Sequence, residues 1–259
     1  MTDLEKQPFT AHLEELRSRL IKAFIAVTIG FLASYFFKEQ IFHILTLPLV
    51  KVMKEGDHLI YTNLPEAFFT FLKAAFISGL MLASPYLLYQ FWMFIAPGLY
   101  DKEKRLVLPI LSLSTLFFLG GALFGYFVVF PIGFEFFLSF ASETIRPMPS
   151  MKAYLSFSSK LLLAFGVAFE MPLVLTFLAR LGIVSVDLLK RNRKYAILLF
   201  FVGSAVLTPP DVVTQVFMAL PMMLLYELSI VGARMFGRKK EVEETPEDGP
   251  EASSPEGEE

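Results

Sequence analysis

The sequence predicts an all-α integral membrane protein of six transmembrane helices, with both termini cytoplasmic and the last two helices short. Three observations carry this. Hydrophobic residues make up 55% of the 259, Phe alone numbers 29, and the mean hydropathy is +0.57, more apolar surface than a water-soluble core of this size can hide. The apolar residues come in runs long enough to cross a bilayer. Lys and Arg collect on alternate connections between those runs, which sets the orientation.

Residues 1–19 read as a cytoplasmic amphipathic helix, with Thr10 as its expected N-cap and Leu13, Leu16 and Leu20 forming a stripe in AHLEELRSRL. Span one follows at about 20–37. It is too long for a signal-peptide core and has no small-residue cleavage site, so a permanent span is expected. Between Lys38 and Pro65 the piece IFHILTLPLVKVM is too short and too interrupted by Pro48 to cross, and is expected to cap the outer surface. Span two, about 67–95, contains Pro85, which predicts a kink. Span three, about 106–130, carries Gly120, Gly121 and Gly125, a small-residue face suited to close helix contact.

A second outer segment runs from Pro131 to Lys152. Span four, about 153–178, is followed by the basic stretch Arg180 to Lys194. Span five, about 195–207, reaches only roughly 20 Å as a helix. Thr208, Pro209, Pro210 and Asp211 turn the chain into span six, about 212–235. The tail, 236–259, is acidic and rich in Glu, Pro, Gly and Ser, which predicts disorder. Nine acids lie at or beyond Glu241, leaving sixteen against 23 Lys and Arg, so the chain up to Lys240 is net basic at +7.

Between spans two and three lies QFWMFIAPGLYDKEKRLVLP, a Pro-Gly break followed by Asp101, Lys102, Glu103, Lys104 and Arg105. Together with Lys6, Arg17, Arg19, Lys22, the 180–194 bases and Arg234, Arg238, Lys239 and Lys240, this turn falls on the cytoplasmic face. Glu15 and Glu103 lie at that interface. Each by itself reads as a solvated acid, and as a pair they suit a cationic ligand, because carboxylates pair bidentately with guanidinium.

Glu170 is the acid placed at membrane depth, about 15 Å from the basic end of span four. Such a carboxyl must be protonated, paired or hydrated. It serves either as a hydrogen-bonded packing residue or as a functional group in a polar recess opened by Pro172.

Cys is absent, which excludes disulfides and thiolate metal sites. His12, His43 and His58 are too scattered for zinc, and no HExxH, serine elbow or phosphate-binding glycine loop occurs. No catalysis, cofactor, metal or nucleic-acid partner is expected. An intramembrane hydrolase would have only Glu170 to work with, and a proton-coupled solute transporter built on Glu170 lacks an evident internal repeat.

The segments HLEELRSRL, SPYLLYQFWMFIAPGLYDKEKR, FGYFVVFP, YLSF, LLAFGVAFEMP and LTPPDVVTQVFMALPMMLLYE together resemble the TatC family, the C subunits of the twin-arginine protein translocase. The resemblance implies a receptor in the bacterial inner membrane that reads the paired arginines of signal peptides on folded cargo. It also implies assembly with small single-span partner subunits and with further copies of the chain. Glu15, chosen over Glu14 by the HLxELR pattern, and Glu103 match the family's Arg-Arg-binding acids. Glu170 matches its intramembrane acid, and Thr208 and Gln215 match polar positions where partner subunits dock.

Overall fold

The computed structural model describes residues 9–54, 56–95, 107–142, 144, 146–208 and 211–237, and these fold as helices and connections. The helices are α1 (Phe9–Tyr35), α2 (Lys38–Val50), α3 (Glu66–Ile95), α4 (Val107–Phe124), α5 (Phe130–Leu138), α6 (Met151–Arg180), α7 (Val186–Arg191), α8 (Arg193–Leu207) and α9 (Val212–Phe236). Three of them, α3, α6 and α9, and the continuous run Leu108–Leu138 are each long and apolar enough to cross a membrane.

One uninterrupted helix, α1, holds both the amphipathic segment and the first apolar run, and it already contains Thr10, so Thr10 is not its cap. Leu13, Leu16 and Leu20 are exposed and face away from the rest of the chain. After Tyr35 the path bends by 88° into α2, which lies across the helix ends as the interrupted sequence predicts. Pro48 cannot donate to the Ile44 carbonyl, and the Tyr126 hydroxyl takes that acceptor at 2.5 Å. Tyr154 donates to the neighbouring Leu45 carbonyl, also at 2.5 Å. Two hydroxyls from α6 and from the turn after α4 thereby fasten α2 to the bundle.

The same logic keeps α3 whole. Pro85 leaves the Met81 carbonyl without its donor, and the Ser84 hydroxyl supplies one at 2.7 Å. Glycines set the α1–α3 crossing: a Cβ on Gly79 would stand 2.4 Å from the Phe31 backbone nitrogen, and one on Gly30 would stand 2.4 Å from the Gly79 carbonyl oxygen. Of the three glycines expected to face a helix, Gly121 meets the Phe165 carbonyl and Gly125 lies near the Phe165 ring, while Gly120 faces open space.

Beyond Phe130, where the third apolar run was expected to end, the helix goes on to Leu138. A π turn, Gly125–Val129, precedes Pro131. The proline follows the π turn, whose shifted hydrogen-bond register accommodates its missing N–H, so the chain passes it without stopping. Of the last two long helices, shortness is confined to α8: it has 15 residues, and α9 has 25. Gln215 joins the pair, its amide donating to the Phe201 carbonyl at 2.8 Å, while the Thr208 hydroxyl closes the end of α8 by donating to the Ser204 carbonyl at 2.8 Å. Asp211 caps α9 by accepting from the Thr214 backbone and hydroxyl.

The core lies where α4, α5, α6 and α9 meet, around Phe130, Phe165, Leu155 and Met218, all nearly inaccessible. At the α2 end, Glu66 ties two connections together. Its buried carboxylate accepts from the Thr62 backbone and hydroxyl, the Ser150 hydroxyl and the Lys152 backbone. Beside it, Ile60 and Ser150 form a parallel bridge.

Candidate functional site

At the end opposite α2, the first turns of α1 pack on the last turns of α3. His12 stacks on Phe94 with ring centroids 4.5 Å apart. Glu15 is half-buried, whereas Glu14 is exposed. The Glu15 carboxylate accepts from Arg19 twice, Nε at 2.9 Å and Nη2 at 2.5 Å, both at Oε1. Arg19 Nη1 donates onward to Gln90 Oε1 at 3.2 Å, which links α1 to α3. The acid expected to hold a guanidinium thus already holds one from its own helix. Glu103 lies outside the described residues, as do Pro209, Pro210 and the tail from 238 onward.

Glu170 sits at the end of a hydrogen-bond chain drawn from three helices. The Trp92 indole N–H of α3 donates to the Ser114 hydroxyl of α4 at 3.0 Å, and Ser114 donates to Glu170 Oε2 of α6 at 2.6 Å. Trp92 and Ser114 are buried, and Phe177 meets the indole edge-on at 5.0 Å. The other oxygen, Oε1, is buried with no partner among the described residues. The polar position is therefore both a packing tie and an acid with one oxygen to spare. Because Trp92 is the chain's single tryptophan, Ser114→Ala is expected to shift its fluorescence emission. The same change orphans a buried donor, at a stability cost of about 1–3 kcal/mol. Unchanged emission together with an unchanged melting temperature would contradict this chain of bonds.

Thr208 ends α8 and Gln215 lies in the first turn of α9, each hydrogen-bonded to a carbonyl of α8. Thr208 is buried, and with Thr214, Phe217, Met218 and Pro221 it lines a cavity of about 220 Å³. Their hydrogen bonds are spent inside the α8–α9 pair, so what they offer outward is shape and remaining acceptor capacity. Among the described residues no group of His, Asp and Glu is placed to hold a metal.

A profile of the family described as Sec-independent protein translocase protein (TatC) matches residues 11–221. The chain belongs to the TatC family. It is 63% identical to the Sec-independent protein translocase protein TatC of Desulforapulum autotrophicum over 240 residues, 93% of this chain and 89% of that one. It is 41% identical to the TatC protein of Escherichia coli K12 over 240 residues, 92% of this chain and 93% of that one. In three dimensions it is similar to the crystal structure of a twin arginine translocase receptor TatC, with a TM-score of 0.80 and 44% identity over 86% of this chain and 98% of that one. The all-helical, six-span membrane architecture expected from the sequence is that of TatC. These likenesses support the translocase reading and lend nothing to a solute transporter. They are to proteins named as a translocase, not as an enzyme.

Two features of the fold escaped the sequence reading. Lys73 and Lys160 also lie inside apolar helices, and the membrane-depth criterion that selected Glu170 selects them as well. Arg19 follows Glu15 by four residues, a spacing that announces a helical ion pair.

Proposed function

We propose that this chain is the receptor and core subunit of a twin-arginine protein translocase, binding the Arg-Arg motif of signal peptides on folded cargo. In this reading Glu15, on α1, and Glu103 take the two arginines. The observation that carries the reading is the Glu15–Arg19 pair. It is a carboxylate held half-buried against α3 and set for a guanidinium.

The internal pair is also weak enough to exchange. An (i, i+4) ion pair on a partly exposed helix face contributes about 0.3–0.5 kcal/mol, so an incoming arginine loses little by displacing Arg19. In this reading both termini and the 96–106 connection are cytoplasmic, in a bacterial inner membrane, as the Lys/Arg distribution favours. The chain then divides into an amphipathic start over 1–19, a membrane domain over 20–235 and a solvated acidic tail over 236–259.

The α8–α9 pair, with Thr208 and Gln215, receives the single-span partner subunits, and further copies of the chain complete the receptor complex. Glu170 serves as the polar position of the membrane face. The short α8, roughly 22 Å long, favours a locally thin bilayer there.

The test is co-purification of the full chain, in detergent, with a synthetic signal peptide carrying Arg-Arg and with the same peptide carrying Lys-Lys. Retention of the first and loss of the second is expected, since only guanidinium pairs bidentately. Equal retention of both peptides would overturn the reading.

A further inference from the structure

Two lysines lie side by side within the membrane helices, on the half of the molecule away from Glu15. Lys73 of α3 is half-buried and donates to the Ser156 hydroxyl of α6 at 2.9 Å. Lys160 is exposed one helical turn further along the same face of α6, near enough to Lys73 for the two charges to repel. Among the described residues neither has a carboxylate partner, the ion pairs there being Glu15–Arg19 and Arg193–Glu227. The nearest well-placed acid in the sequence of α3, Glu66, has its oxygens committed to backbone and hydroxyl donors.

Their depth identifies what neutralises them. Both helices have 30 residues, about 45 Å, against a hydrocarbon layer of about 30 Å. Centred in the bilayer, each extends about 7 Å beyond the hydrocarbon at the Glu66 end. Lys73 is seven residues from the start of α3 and Lys160 nine residues from the start of α6, which places their backbones about 3 and 6 Å below that boundary. In helices, side chains lean toward the N-terminus. Both N-termini lie at this end, so both ammonium groups snorkel outward to the level of the lipid phosphates.

We propose that Lys73 and Lys160 together bind the phosphate of an anionic phospholipid in the leaflet at the Glu66 end, between α3 and α6. One phosphodiester shares its single negative charge over two acceptor oxygens, one for each ammonium donor, and screens the two cations from one another. The apolar faces of the two helices below the lysines receive the acyl chains. The proposal holds whichever way the protein faces and does not rest on the signal-peptide reading.

The experiment is native mass spectrometry of the full chain in detergent with added phosphatidylglycerol, phosphatidylcholine or inorganic phosphate. A retained phosphatidylglycerol adduct is expected, at least about tenfold weaker in the Lys73→Gln/Lys160→Gln chain and restored in Lys73→Arg/Lys160→Arg. Phosphatidylcholine is expected to bind more weakly, and inorganic phosphate to leave the adduct in place. Undiminished retention in the double Gln chain, equal retention of the two lipids, or displacement by inorganic phosphate overturns the proposal. If the double Gln chain does not fold, the single Gln variants decide. Each is expected to retain less lipid than the parent, and two unchanged singles overturn it.

Discussion

Replacing Arg19 by Gln is expected to tighten binding of a twin-arginine signal peptide, and replacing Glu15 by Lys to abolish it. Both follow from the same two hydrogen bonds. Arg19 holds Glu15 Oε1 with Nε and Nη2, so a peptide arginine must first displace it. Removing the competitor returns what the pair contributes, about 0.3–0.5 kcal/mol, plus the cost of detaching Arg19 from Gln90, about 0.5–1.5 kcal/mol net.

The summed effect is an affinity gain of about fourfold to about thirtyfold for Arg19→Gln. Glu15→Lys removes charge-assisted hydrogen bonds of about 1.5–3 kcal/mol each and sets a cation against a cation, so a loss of at least about 100-fold is expected. Fluorescence anisotropy of a labelled peptide titrated with purified chain measures both. Weaker binding in Arg19→Gln would mean that Arg19 belongs to the receptor surface rather than standing in for the ligand. Unaltered binding in Glu15→Lys would remove Glu15 from the site.

The membrane class was legible because it depends on quantities that add along the chain: apolar run lengths, and charge counted connection by connection. Glu15 was chosen over Glu14 through resemblance to the HLxELR pattern, and its Arg19 partner follows from the four-residue spacing along one helix. The caps that hold the prolines were not. Tyr126 reaches a carbonyl 82 positions away in sequence, and no local pattern announces such a contact.

The extension of α5 past Pro131 was lost because proline reads as a stop, although after a π turn it is compatible with helix. Thr208 and Gln215 could be picked out by resemblance alone, and their inward hydrogen bonds are tertiary facts. The lysines at membrane depth were visible all along. They meet the same membrane-depth criterion as Glu170, and only the packing of α3 on α6 shows that they lie together.

Gly79→Val is expected to disturb the proposed arginine-binding site from a distance, because Glu15 and Arg19 keep their arrangement only where α1 lies against α3. A Cβ at this position would stand 2.4 Å from the Phe31 nitrogen and 2.6 Å from the Gly30 carbonyl carbon. These are backbone atoms of a helix and cannot swing aside, so α1 must move away. Overpacking of this kind costs about 1–3 kcal/mol. The contacts with least tolerance for such a shift are the Arg19–Gln90 hydrogen bond, already 3.2 Å, and the His12–Phe94 stack. Peptide affinity is therefore expected to fall by about tenfold or more, together with a lower melting temperature.

Because the chain has no Cys, a His12→Cys/Phe94→Cys pair gives a clean crosslink that reports the α1–α3 distance. Its yield is expected to drop when Gly79→Val is added. Gly120→Val is the control, since a Cβ there meets nothing within 4 Å, and it is expected to leave crosslinking and peptide binding intact. If the two glycine variants behave alike, the crossing does not position the site, and the coupling between membrane packing and arginine recognition fails with it.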